Sequence, residues 1–402
     1  MVVKDKQISV IGLGYIGLPT AALLASSGYK VNGMDVNNDV VSIINEGKIH
    51  IVEPDLDKYV KSAVSSNMLQ AFIEVQPADI YIICVPTPFN DTSEIPSPNI
   101  DYVKDAALNI SVHVKKGDII ILESTSPVGT TEMIETTLKE IGIDTNEIFI
   151  AYCPERVLPG KIMKELVENA RVIGGLNDKS TEAVSDFYKS FVKGEILMTK
   201  AGTAEMCKLT ENSFRDVNIA FANELSILCH NNGVNVWDLI DLANHHPRVN
   251  ILQPGTGVGG HCIAVDPWFI VSQDPLNSRL IKTARVVNDH KPEWVVEQIK
   301  EEAEKRNTKN IACLGLAFKP DIDDLRESPA ISVVDSLLKQ GYEIKCVEPN
   351  IDDHKEYDLV SLDEAIKGCD VIALLVKHKE FNSIESRTKI INKKILNFCS
   401  KL

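Results

Sequence analysis

Residues 254–266 read Pro-Gly-Thr-Gly-Val-Gly-Gly-His-Cys-Ile-Ala-Val-Asp, so that Cys262 follows a run rich in glycine and Asp266 lies four positions further on. Glycine at this density costs backbone entropy and packs poorly, so it marks a sharp turn or a place where something approaches the main chain. A thiol carried on such a loop is placed as a nucleophile rather than as core filler. His261 is adjacent to the thiol, but neighbours on an extended loop point apart, and it is read as structural.

A second set lies on one stretch without a helix breaker, from Thr203 to about His230. Lys208, Asn212 and Arg215 recur there at i, i+4 and i+7, which stacks them on one helical face. Two cations and an amide on one stripe can hold an oxyanion together with a phosphate or carboxylate. Met206, Leu209, Phe214, Ile219 and Phe221 spread apolar surface around the same helix, so it is expected to be largely buried. A third set, Gly12-Leu13-Gly14-Tyr15-Ile16-Gly17, follows the apolar run Gln7–Ile11 and opens a helical pattern, and a strand over Lys30–Met34 then ends on Asp35. In that order the glycines permit a tight turn, the approach of a pyrophosphate and close helix–strand packing. Asp35 accepts ribose hydroxyls and repels a 2′-phosphate, which selects NAD over NADP.

The elements that must position these groups are legible as alternating strands and helices. Apolar runs at 80–85, 119–123 and 147–151 stop in short polar or proline-containing loops at Thr87, Thr125 and Glu155. That is the pattern of a parallel sheet, whose carboxyl edge gathers ligands, so the three residues are expected to face one crevice. Glu155 could instead cap a helix. From residue 309 a smaller set follows, with strands at 310–315, 343–347 and 371–376 and a helix at 328–340. The fold class is α/β: two doubly wound Rossmann-like domains, 1–199 and 306–402, joined by a central all-helical domain, 200–305, built around the long helix.

Composition narrows the function further. A formal net charge of −15 with no basic stripe argues against nucleic acid. No apolar run approaches the ~20 residues of a membrane span, and the charged start, residues 1–6, does not resemble a signal peptide. Nine cysteines, an odd number, are scattered singly without a CxxC pair, which argues against a disulfide framework and a structural zinc site and points to a reducing, cytoplasmic compartment.

In this combination the chain resembles the UDP-glucose/GDP-mannose dehydrogenase family, and within it the N-acetylmannosamine branch. The matching segments are residues 12–17, 123–125, 153–161, 208–215, 246–250, 255–266, 315–319 and 324–329. The branch rests on Pro-Glu-Arg-Val-Leu-Pro-Gly at 154–160 and Arg248-Val249-Asn250. The resemblance implies a four-electron oxidation of the C6 alcohol of UDP-N-acetyl-D-mannosamine to a carboxylate, with two NAD reduced. The alternatives are UDP-glucose or another UDP-hexosamine as substrate, or a UDP-sugar-binding protein with impaired turnover.

The same resemblance implies the site. Cys262 captures the aldehyde as a thiohemiacetal and then a thioester. Lys208 and Asn212 stabilise oxyanions, Asp266 orients water or Lys208, and Thr125 and Glu155 position and activate the hydrolytic water. NAD is held by Gly12, Gly14, Tyr15, Ile16, Gly17, Asp35, Thr87, Thr125 and Arg326. The nucleotide sugar is held by Arg156, Val157, Lys208, Asn212, Arg215, His246, Arg248, Gly259, Phe318 and Lys319, with Arg248 reaching across a homodimer interface. Two departures stand out: Thr256 occupies a position where proline is common, and the terminal residues 395–402 lack the usual basic contact to the nucleotide sugar.

Overall fold

The computed structural model describes residues 5–90, 95–260, 262–383 and 395–399, so His261 and residues 400–402 lie outside the described part. The chain divides into two compact units, Met1–Thr210 and Glu211–Leu402, with the boundary inside the long helix Ala201–Asn231.

The first unit is built on strands β1 (Gln7–Ile11), β2 (Lys30–Met34), β3 (Leu69–Phe72), β4 (Ile80–Ile83), a small hairpin of β5 (Phe89–Asn90) and β6 (Ser97–Pro98), then β7 (Ile119–Leu122), β8 (Phe149–Tyr152), β9 (Arg171–Gly175) and β10 (Ile196–Lys200). Eight of them form one sheet in the order β10-β9-β8-β7-β4-β1-β2-β3. All neighbours are parallel except β8 and β9, so the last two strands run against the rest. Strand order reverses at β1, and the crevice beside such a reversal is where ligands bind in open α/β sheets. β4 and β7 are buried at every position, Ile-Tyr-Ile-Ile and Ile-Ile-Ile-Leu, because helices cover both faces of the sheet.

The second unit carries helices Val236–Ala243, Asp266–Gln273 and Arg279–Lys305 and a second sheet. Its strands are β11 (Asn310–Leu314), β12 (Glu343–Val347), β13 (Val371–Leu374) and β14 (Ile395–Asn397), all parallel, in the order β12-β11-β13-β14. Both doubly wound sheets and the helical region between them are as expected.

The two sheets share one device. After β1, Gly12 takes φ +89° and the next N–H, of Leu13, donates to the carboxylate of Asp35 at the end of β2 (3.0 Å). After β11, Gly315 takes φ +87° and the N–H groups of Leu316 and Ala317 donate to Glu348 at the end of β12 (2.7 and 3.0 Å). Asp35 is half-buried, whereas Glu348 is shut in by His378 and Asn350. His378 Nδ1 faces the Asp321 N–H and the Asn350 amide, so Nε2 carries the proton donated to Glu348.

The long helix departs from the sequence expectation. Met206, Phe214 and Phe221 are 40%, 70% and 53% exposed, and Leu228 is 49% exposed. Among the described residues only part of its circumference finds a partner, with Ala204, Leu209, Ala220 and Ala222 packed inward.

Candidate functional site

The turn after β1 has the shape a dinucleotide requires. A Cβ on Gly12 would come within 2.7 Å of the Cys84 carbonyl oxygen, and one on Gly17 within 1.8 Å of the Gly12 oxygen, so both glycines are sterically obligatory. A Cβ on Gly14 would meet nothing within 4 Å, which leaves open space where a pyrophosphate would lie against the backbone. The helix Gly17–Ser26 starts immediately after; Ile16 is its N-cap and Tyr15 is 40% exposed. Asp35 spends one oxygen on Leu13 N–H and the other on Asn37 N–H, and the remaining acceptor positions suit ribose hydroxyls. Thr87 donates to the Thr125 carbonyl oxygen (2.7 Å), joining the loops after β4 and β7.

Beneath these loops lies a buried polar group in which sequence reasoning placed only Glu155. Glu123, closing β7, accepts from Tyr188 OH (2.5 Å), Thr20 Oγ1 (3.3 Å) and Cys84 Sγ (3.4 Å). Arg171, 2% exposed, donates to the Leu166 carbonyl oxygen and lies over the Tyr188 ring. Glu155 is 8% exposed, and burial pushes its carboxyl up to about 7; the charges of Lys208 and Arg171 oppose that rise, and Glu123 adds to it. A carboxyl poised there can take a proton from water near neutral pH. It does not cap a helix. Other acids do that: Glu53 accepts from Gly160 and Ile162 N–H (both 2.8 Å), and Glu205 from Gly129 and Thr131 N–H (both 2.8 Å). Glu53 thereby pins the loop after Glu155, in which Arg156 donates to the Ala170 carbonyl oxygen and Val157 is half-buried.

In the second unit Cys262 is the exposed thiol among nine free cysteines, five of which are buried. Its carbonyl oxygen accepts from Asp266 N–H (2.9 Å) at the start of the helix Asp266–Gln273. Asp266 is 3% exposed and accepts from the Asn212 amide. The glycines of the loop answer to packing. A Cβ on Gly259 would come within 2.2 Å of the Glu327 oxygen and 3.1 Å of Phe318 Cβ; Gly260, at φ +82°, lies 2.8 Å from the Phe318 ring by the same measure. The loop is tied at two further points. Gly255 N–H donates to Asn223 (2.8 Å), at one end of a buried chain through Asn288 to Asp216 and Arg285. The Thr256 hydroxyl donates to the Leu375 carbonyl oxygen (2.6 Å) just past β13, where proline could not.

The remaining candidates are open to solvent or half-buried. Arg215, His246 and Arg248 are exposed, Lys319 is half-buried, and Arg326 is exposed and paired with Asp324 through two guanidinium bonds. Arg171, Glu53 and Asn223 were not legible as site residues, because their place depends on tertiary contacts far along the chain.

A dinucleotide turn on one sheet, a second doubly wound sheet and an exposed thiol on a glycine-rich loop fit a nucleotide-sugar dehydrogenase that uses NAD. Comparison with known proteins agrees along the chain. Residues 6–192, 202–290 and 312–397 match in turn the NAD binding, central and UDP binding domains of the UDP-glucose/GDP-mannose dehydrogenase family. The UDP-N-acetyl-D-mannosamine dehydrogenase of Campylobacter jejuni is 54% identical over 410 residues, covering 98% of this chain and 99% of that one. The NDP-N-acetyl-D-galactosaminuronic acid dehydrogenase of Ralstonia nicotianae is 51% identical, covering 95% and 93%. The structure of a UDP-D-ManNAc dehydrogenase from Pyrococcus horikoshii superposes with a TM-score of 0.89 at 40% identity, covering 98% and 95%. The chain belongs to the UDP-glucose/GDP-mannose dehydrogenase family and is an NAD-dependent UDP-sugar dehydrogenase.

Proposed function

We propose that this chain oxidises UDP-N-acetyl-D-mannosamine at C6 to the uronate, with Cys262 holding the sugar covalently between the two oxidations. The observation that carries the covalent step is the setting of Cys262: the exposed thiol of the nine, on a loop clamped by Phe318 and Glu327 and followed by the Asp266–Asn212 pair. Bound NAD supplies the hydride acceptor, one molecule for each oxidation. Gly12, Gly14, Tyr15, Ile16, Gly17, Asp35, Thr87, Thr125 and Arg326 are the residues assigned to hold it.

The protein's own groups manage the carbonyl. The Cys262 sulfur adds to the C6 aldehyde, and the resulting alkoxide is stabilised by the Lys208 ammonium and the Asn212 amide. Oxidation of this thiohemiacetal leaves a thioester, which water cleaves, returning the thiol and releasing the carboxylate. Glu155 takes the proton of that water, with Thr125 placing it; a carboxyl with pKa about 7 fits that role. Asp266 orients the Asn212 amide, to which it is bonded. Arg156, Val157, Arg215, His246, Arg248, Gly259, Phe318 and Lys319 are assigned to the nucleotide sugar. The exposed Phe214, Phe221 and Leu228 support a homodimer with Arg248 serving the partner site, and nine free thiols support a reducing cytoplasmic setting. Among the described residues no helix is long and apolar enough to cross a membrane.

The relative named for N-acetyl-D-galactosaminuronic acid, at 51% identity, favours a second reading in which the substrate is the C2/C4-epimeric hexosamine. Rates on a panel of UDP-sugars separate the two, product mass reports uronate formation from either, and two NADH per sugar are expected. One NADH per sugar, or full carboxylate production by Cys262→Ala, overturns the covalent scheme.

A further inference from the structure

Away from the catalytic loop, the second unit contains a groove of about 450 Å³ between the end of the long helix, the helix Arg279–Lys305 and β14. Lys291, Ser226, His230, Trp237, Trp294 and Phe398 line it. Lys291 is 1% exposed. Its ammonium donates to the Ser226 hydroxyl (2.6 Å) and lies 3.9 Å from the centre of the Trp294 ring. Among the described residues no carboxylate pairs with it, and burial alone pushes it down to about 7.

A buried cation whose partners are one hydroxyl and one aromatic face is incompletely compensated, because neither brings a negative charge. A salt bridge within the chain would have removed that cost, as Asp216 does for Arg285 in the same unit. Trp237, Trp294 and Phe398 share the rest of the wall with aliphatic residues such as Val234, Val236 and Leu396, and the volume lies within the range of small-molecule sites. His230, exposed at the mouth, is the other titratable group in the lining.

We propose that this groove is a second ligand site, separate from the catalytic loop, for a small organic anion: a carboxylate for Lys291 and Ser226, carried on a planar apolar body for Trp237, Trp294 and Phe398. The anion supplies the missing counter-charge, and desolvation strengthens the pairing. The site is independent of which UDP-sugar the enzyme oxidises.

Two of the chain's three tryptophans, Trp237 and Trp294, stand in the lining, so intrinsic fluorescence reports on it directly. The probe is 3-phenylpropionate titrated into the full chain, with 3-phenylpropionamide as its neutral match. Saturable quenching is expected, at least tenfold tighter for the carboxylate, undisplaced by UDP or NAD. Lys291→Met should abolish that preference while leaving weak binding of the amide. Val236→Glu, which puts a carboxylate on the groove wall, should exclude the anion in a chain that keeps its lysine, and it carries the test should Lys291→Met fail to fold. No saturable quenching, equal binding of acid and amide, displacement by UDP or NAD, or an unchanged preference in a folded Lys291→Met or Val236→Glu overturns the proposal.

Discussion

Replacing Glu155 by glutamine separates the chemical use of this carboxyl from its structural cost. Burial raises its pKa from the ordinary 4.5 to about 7. A raised folded-state pKa means that the group's contribution to stability is fully present below pH 4.5 and is lost as pH rises through about 7. That rise from 4.5 to about 7 corresponds to roughly 3.5 kcal/mol. Glutamine resembles the protonated acid and carries no charge at any pH. Glu155→Gln should therefore match the wild type near pH 4.5 and gain on it up to pH 8, by about 3.5 kcal/mol, or on the order of 10 °C in melting temperature for a unit of this size. Carboxylate formation should fall by at least ~10²-fold, the typical loss for a removed general base. Melting curves at pH 5 and pH 8.5, with single-turnover product analysis, read both effects. A stability difference that does not change with pH would refute the assigned burial cost, and retained hydrolysis would refute the chemical role.

Gly259→Ala places a methyl 2.2 Å from the Glu327 oxygen, a backbone atom that cannot give cheaply. The catalytic loop should shift by about 1 Å and turnover fall on the order of 10²-fold, with NAD affinity by fluorescence titration unchanged. Thr256→Val leaves the Leu375 carbonyl without its donor and should cost about 1–3 kcal/mol in urea denaturation. Asp35→Asn should weaken NAD binding by roughly tenfold, ~1.4 kcal/mol, in a direct titration, because ribose hydroxyls lose a charged acceptor.

What could be read from the sequence was local. The turn at residues 12–17, the acid at the end of β2 and the exposed thiol on a glycine-rich loop each announce themselves within a few positions, because their chemistry needs fixed spacings. The glycines of residues 255–260 were legible as a close approach, but not that Phe318 and Glu327 are what approaches. The expectation that the long helix is largely buried failed because apolar residues around a helix do not say whether the partner is the same chain. Phe214 and Phe221 face outward here. Arg171, Asn223 and Lys291 carry no local signature, and only the folded chain gathers them with Glu155, the catalytic loop and the Trp294 groove.

The pair of glycine turns that end on Asp35 and Glu348 bears on how one chain handles two nucleotides. Both sheets descend from the same architectural plan, yet the second has turned its sugar-reading acid inward. His378 and Asn350 saturate acceptor positions of Glu348 whose counterparts Asp35 leaves open. The acid that ends β2 therefore keeps open acceptor positions, and the one that ends β12 keeps none. A histidine and an asparagine thus close at Glu348 what Asp35 leaves open, in a loop that runs to Pro329 before its helix begins, where the first sheet's helix begins at Gly17.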